Sequence, residues 1–162
     1  MTFYRGTSVF QIRIHGRGGQ GVVTAAEMLA LAGFMEGHYA QAFPSFGSER
    51  TGAPVVAFAR LDSKEIRLRE PVLEPNVVLV QDRTLLDSVD VFKGLRPNGY
   101  VLINSGSTVQ ELGLQELEAR LPKGHVLCVP ATRFAMGKNW SPFARSRYVS
   151  WDGSYDGIDE VG

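Results

Sequence analysis

The chain has 162 residues, 44% of them hydrophobic and 21% charged, with Lys+Arg 17 against Asp+Glu 17. Such a composition is that of an ordinary globular chain, long enough for one domain whose core needs neither disulfides nor metals. The balanced charge provides no global field toward nucleic acid or anionic lipid. The one cysteine, Cys128, excludes an internal disulfide and any cysteine-ligated cluster or zinc ribbon within the chain.

Met1 to Ser8 lacks the basic-then-apolar order of a signal peptide. No apolar stretch approaches the roughly 20 residues needed to span a bilayer. The expectation is a soluble, cytoplasmic protein with neither nucleic acid nor membrane among its partners.

Phe10-Gln11-Ile12-Arg13-Ile14-His15 alternates as a first strand should. It runs into Gly16-Arg17-Gly18-Gly19-Gln20-Gly21, and residues 22–36 follow as a helix. Strand, GxGxxG and helix in that order make a backbone pocket for a phosphate. On this reading Gly16 allows the tight turn, Gly18 the close approach of an anion and Gly21 the packing of helix on strand, while Arg17 reinforces the anion site. The alternative is a tight turn that packs the helix and faces a partner chain. The helix is apolar on nearly every side, with small residues at Ala25, Ala26, Ala30, Ala32 and Gly33. The sheet covers one face, and another chain is a candidate to cover part of the other.

A nicotinamide dehydrogenase would place an acid about 20 residues beyond the glycines. Tyr39-Ala40-Gln41-Ala42-Phe43 carries none, and Glu36 comes too early. His15 stands at the carboxyl end of the first strand, where open α/β sheets bind ligands; a lone His there is a weak signal for a ligand or interface contact.

Gly37 ends the helix, and His38 to Ala42 is expected as a second strand. The stretch from Phe43 to Pro54 is a long loop rich in Gly, Pro and Ser, and long loops are often functional. Its Phe43, Phe46, Glu49 and Arg50 suit an interface, since aromatics and Arg concentrate there. The plain alternative for Glu49 and Arg50 is a surface pair worth little.

Val55 to Leu61 predicts a strand, and Ile66 to Arg69 its antiparallel return. Asn76 to Asp82 predicts a buried strand, Leu85 to Leu95 a helix, and Tyr100 to Ser105 a strand. A helix of about 10 residues should end near Leu121, with a last strand at His125 to Pro130. The fold class is therefore α/β: a mainly parallel sheet with helices on both faces, Rossmann-like, with one antiparallel hairpin. Residues 1–136 form the domain. Residues 137–162 lose the pattern and form an irregular tail, whose acids lack the spacing of a calcium loop. Cys128 lies in an apolar run, as a buried inert thiol does. No Ser/His/Asp or Cys/His arrangement has a recognisable spacing, so no catalytic residue is assigned.

Two stretches together carry a specific resemblance. They are Ile12-Arg13-Ile14-His15-Gly16-Arg17-Gly18-Gly19-Gln20-Gly21-Val22-Val23 and Phe43-Pro44-Ser45-Phe46-Gly47-Ser48-Glu49-Arg50-Thr51-Gly52-Ala53-Pro54-Val55. In that order, about 30 residues apart, they closely resemble the gamma subunit of 2-oxoacid:ferredoxin oxidoreductases. The Phe43 to Val55 stretch resembles the pyruvate and branched-chain branch of that family. The match runs from residue 10 to about 135; Lys138 to Gly162 departs from the family pattern, through a divergent tail or a change of reading frame near residue 136.

The resemblance implies a complex that oxidatively decarboxylates a 2-oxoacid, most readily pyruvate, to acyl-CoA and passes the electrons to ferredoxin. It implies alpha-, beta- and delta-type partner subunits that carry thiamine diphosphate with Mg and the [4Fe–4S] clusters, and no such cofactor on this chain. In single-chain relatives, the resemblance implies, the equivalent domain lies over the active-site entrance and is associated with CoA binding. By position, Gly16 to Gly21 would face that cleft or a neighbouring chain, with Glu49 and Arg50 on the flanking loop. Two other readings stand beside it: a free-standing nucleotide-binding enzyme, and a regulatory nucleotide- or anion-binding module. Fold alone does not decide among them.

Overall fold

The computed structural model describes residues 9–45 and 51–136. The chain divides into two compact units, Met1–Pro130 and Ala131–Gly162. Of the second unit the described part is a single helix, Ala131–Met136.

The first unit is built on one six-stranded sheet. Its strands are β1 (Phe10–Arg17), β2 (Tyr39–Pro44), β3 (Pro54–Asp62), β4 (Val77–Val80), β5 (Tyr100–Asn104) and β6 (Val126–Val129). They lie in the order β2-β3-β1-β4-β5-β6. β1, β4, β5 and β6 are parallel neighbours, while β3 runs antiparallel to both β1 and β2. Helix α1 (Val22–Met35) follows β1, and helix α2 (Gln115–Arg120) precedes β6.

Each face of the sheet carries its own core. Ile12 and Ile14 of β1 and Ala57 and Ala59 of β3 point to the side where α1 lays Val22 and Ala26. The small alanines of β3 are what let the helix sit close. The opposite face gathers Val78, Val80, Val101, Ile103 and Val126 from three parallel strands, under Leu85, Val91, Val109, Leu117 and Leu121. The two period-2 halves of β1 thus serve different layers: Ile12 and Ile14 face α1, and Arg13 and His15 face the other way.

Several expectations shift. The antiparallel hairpin is formed by β2 and β3, not by β3 and residues 66–69, which are not a strand. The reason is that β1 and β2 fill both hydrogen-bonding edges of β3. The second strand ends at Pro44 and so takes Phe43 out of the loop. The helix expected at 85–95 is a short 3-10 turn, Arg83–Asp87, followed by turns. Asp82 caps it by accepting from the Thr84 amide, and Gly94 adopts a positive φ of 72° that ends helical continuation. The helix before β6 has 6 residues rather than about 10.

α1 leaves Met28, Leu31, Phe34 and Met35 exposed, the first at 66% and the last at 70%. An apolar helix against one sheet has a second apolar side by composition alone.

Candidate functional site

The turn after β1 is closed by side chains from the loop after β4. Asp82 is the hub. Its Oδ1 accepts from the Thr84 amide at 3.0 Å and the Thr84 hydroxyl at 2.6 Å. Its Oδ2 accepts from Gln20 Nε2 at 2.8 Å and pairs with Arg17 Nε at 3.3 Å. These contacts hold the carboxyl below the usual carboxylate range, the Thr84 and Gln20 side-chain hydrogen bonds first among the causes. Arg17 also donates to Thr84 Oγ1 at 2.8 Å and to the Gly52 carbonyl at 3.1 Å. The turn is stitched on its other side by Gly18 donating to the Ala53 carbonyl and Gly52 donating to that of Gly18.

The glycines divide their work differently from the expectation. Gly16 lies inside β1, where a Cβ would stand 2.6 Å from Val22 Cγ2 and 3.0 Å from Gln81 Oε1. Gly16 is therefore the residue of close helix–strand approach, and Gly21 has no neighbour within 4 Å of its Cβ position. Gly21 instead turns the chain, with φ 75° at the start of α1. No side chain caps that start, and the first turn carries no acid. The positive end of a 14-residue helix thus faces a cleft of about 490 Å3 lined by Gly18, Gly19, Val22, Val23, Thr24 and Thr51 among others. Arg17 reaches this cleft already matched by Asp82, so the attraction for an anion there comes mainly from backbone amides.

Of the remaining expected residues, His15, Phe43 and Cys128 lie among those the structure describes. His15 is 5% exposed, on the face away from α1, with Nε2 lacking a hydrogen-bond partner. Burial first, and Arg13 second, pull its pKa down to about 4, so the ring is neutral near pH 7. Phe43 is half-buried, 5.2 Å from the Phe58 ring and beneath Arg60. Phe46, Glu49 and Arg50, and the tail 137–162, lie outside the described residues. Cys128 is half-buried beside the β5–β6 core, and burial pushes its thiol up, away from nucleophilic use.

Asp82, Thr84 and Gln81 were not singled out from sequence. The available signal was Asp82-Arg83-Thr84, an acid two residues before a hydroxyl directly after a buried strand, which is a helix-start pattern. Among the described residues no group of three or more His, Cys, Asp or Glu side chains is placed to hold a metal, and no helix is long and apolar enough to cross a membrane.

Neutral buried His15 makes a pH prediction. Its folded pKa lies below the unfolded value of about 6.5, so the unfolded chain binds the extra proton. Its contribution is complete above pH 6.5 and disappears as pH falls through about 4. The loss should approach ~3 kcal/mol. Urea unfolding of the full chain at pH 7.5 and pH 4.5 should show a steeper loss than in His15→Leu. Equal losses in both proteins would mean that His15 is not buried in its neutral form.

The family model for pyruvate ferredoxin/flavodoxin oxidoreductase matches residues 11–149. The chain is 50% identical over 126 residues to the pyruvate synthase subunit PorC of Methanosarcina barkeri, covering 78% of this chain and 66% of that protein. It is 51% identical over 128 residues to the pyruvate/ketoisovalerate oxidoreductases common subunit gamma of Thermococcus litoralis, covering 79% and 68%. Among solved structures, the pyruvate oxidoreductase subunit PORC of Thermotoga maritima superposes with a TM-score of 0.62 at 38% identity, covering 79% of this chain and 65% of that one. The chain spans about two thirds of the length of these relatives.

Proposed function

We propose, for a chain that belongs to the pyruvate ferredoxin/flavodoxin oxidoreductase family, that it is the gamma-type subunit of a cytoplasmic complex converting pyruvate and CoA to acetyl-CoA and carbon dioxide, with electrons passed to ferredoxin. Its companions are alpha-, beta- and delta-type subunits that hold the thiamine diphosphate, Mg and [4Fe–4S] clusters. When bound there, thiamine diphosphate supplies the decarboxylation chemistry. This chain's part is to bind and orient. The reading is supported by about half-identity to proteins named as pyruvate synthase and pyruvate/ketoisovalerate oxidoreductase subunits. The second of these is named as a gamma subunit common to two oxidoreductases, which suits a chain that leaves substrate choice to its companions.

The observation that carries the local role is the uncapped start of α1 opening on the glycine turn. Its amides suit a phosphate of CoA, and the Arg17–Asp82–Gln20 latch keeps the turn in shape. Residues Gly16 to Gly21 are thus proposed as a CoA-facing loop. The stretch of sequence bearing Phe43, Phe46, Glu49 and Arg50, and the exposed side of α1, are proposed to meet neighbouring chains.

The test is affinity purification of the full chain from its host, followed by mass spectrometry and an absorption spectrum. The expected result is co-purifying thiamine-binding and cluster-bearing chains whose brown colour bleaches with pyruvate plus CoA. A lone colourless chain would remove the subunit reading and leave a small anion-binding module. Within the intact complex, Gly16→Val forces a side chain into Val22, which is itself stiff in a helix. It should push α1 from β1 at a cost of about 1–3 kcal/mol and raise the apparent KM for CoA more than that for pyruvate. An unchanged KM for CoA in an assembled variant would take the loop out of CoA binding.

A further inference from the structure

A second cavity, of about 320 Å3, lies at the amino end of β5. Because β1, β4 and β5 run parallel, this is the end of the sheet opposite the glycine turn. Lys93, Arg96 and Arg120 line it, with Asp90 as the one carboxylate. Three cations against one anion leave an excess of two positive charges in one concavity. Among the described residues neither Lys93 nor Arg120 has an ion-pair partner, and Arg96 reaches Glu74 only at 3.9 Å.

Arg120 in the last turn of α2 has an ordinary reason to be there, the helix dipole. That reason does not extend to Lys93 and Arg96, which come from a different segment and converge on the same space. The segment carrying them is held from behind. Arg13, itself 8% exposed, donates to the carbonyls of Val72 at 3.2 Å, Val91 at 3.0 Å and Lys93. The Arg96 amide donates to the Pro75 carbonyl at 3.1 Å, and its carbonyl accepts from Gly99 at 2.8 Å. The buried Arg13 guanidinium lies beneath the loop, hydrogen-bonded to carbonyls and within the electrostatic reach of the Asp90 carboxylate. Cations on a backbone fixed in advance lose less freedom on binding than cations on a free loop.

We propose that this cavity binds a phosphate group, as free phosphate or as a small phosphate ester. Two guanidinium forks and an ammonium suit the several oxygens of a dianion better than a single carboxylate. The volume lies at the low end of small-ligand sites, which limits the ester to a few carbons beyond the phosphate. The site is separate from the glycine turn and does not depend on what that turn binds.

The test titrates inorganic phosphate, and separately glycerol 3-phosphate, into the full chain in its native assembly, read by phosphorus NMR line broadening. Saturable binding is expected. It should weaken by roughly tenfold or more in Lys93→Gln combined with Arg120→Gln, tighten several-fold in Asp90→Asn, and stay unchanged in Arg17→Gln. An unchanged unfolding midpoint in the double variant would show that lost charge, not lost structure, is responsible. Tighter binding of the ester would name an ester as ligand, and equal or weaker binding would name the free ion. Absence of saturable binding in the unmodified chain, or loss in Arg17→Gln with no response to the other variants, overturns the proposal.

Discussion

Arg60→Ala should destabilise the folded chain by about 4 kcal/mol. For a chain of this size that corresponds to a fall in Tm of roughly 8–16 °C. Arg60 is 2% exposed, in the middle of β3. Its guanidinium satisfies Gln11 Oε1 at 3.0 Å, Gln41 Oε1 at 3.4 Å and the Leu68 carbonyl at 3.4 Å, and it also donates to the Glu70 carbonyl. It lies 5.1 Å from the centre of the Phe43 ring. Truncation removes the shared donor of four part-buried hydrogen bonds and leaves a void where the buried Arg60 side chain packs on an aromatic ring, and both terms act in the same direction. It also frees the segment 68–70, whose carbonyls the guanidinium ties to the sheet. Burial is the main influence on this group, lowering its pKa, while Glu70 opposes the shift. Arg60→Lys keeps the charge but loses the fork, and should fall between wild type and alanine. Thermal unfolding of the full chain measures this; an alanine variant melting within about 2 °C of wild type would mean that the network contributes nothing net.

Gly94→Ala should have a loss of similar size, about 3–5 kcal/mol, for a different reason. Gly94 has φ 72°, a region that costs an L side chain about 1–2 kcal/mol. A Cβ there would also stand 2.1 Å from the carbonyl oxygen of Leu73, a backbone atom that cannot rotate away. The loop would have to lift from the 72–74 segment, parting the Val91 and Lys93 carbonyls from the Val72 carbonyl that the same Arg13 guanidinium holds. Hydrogen exchange should then show lost protection across residues 91–99 before global unfolding. Loss of phosphate binding at Lys93 and Arg96 should accompany it. Unaltered exchange and an unaltered midpoint would show that the loop accommodates the methyl group without cost.

The order of elements was readable from pattern alone. Alternation in residues 10–15 and the apolar runs at 77–80, 100–104 and 126–129 marked the parallel strands, because buried parallel strands leave long hydrophobic records. The glycine turn and the helix after it were readable for the same local reason: their geometry is set by residues adjacent in sequence. The returning strand at 66–69 was not readable correctly, since its failure depends on β1 and β2 occupying both edges of β3. Nor was the role of Gly16, which depends on where Val22 comes to rest.

From the sequence alone came the α/β class, the glycine turn at the end of the first strand, the absence of a ribose-binding acid after it and the likeness to a gamma subunit. Each follows from neighbours along the chain. Only the tertiary structure decided that β2 is an edge strand antiparallel to β3, so that the place of a ribose-binding acid beside β1 is not built at all. It also decided that Arg17 is matched by Asp82, that Arg13 and Arg60 are buried rather than solvent-facing, and that Lys93, Arg96 and Arg120 share one cavity. These depend on contacts between residues 8 to 80 positions apart, and such contacts are set by sheet order and packing, to which local pattern is blind.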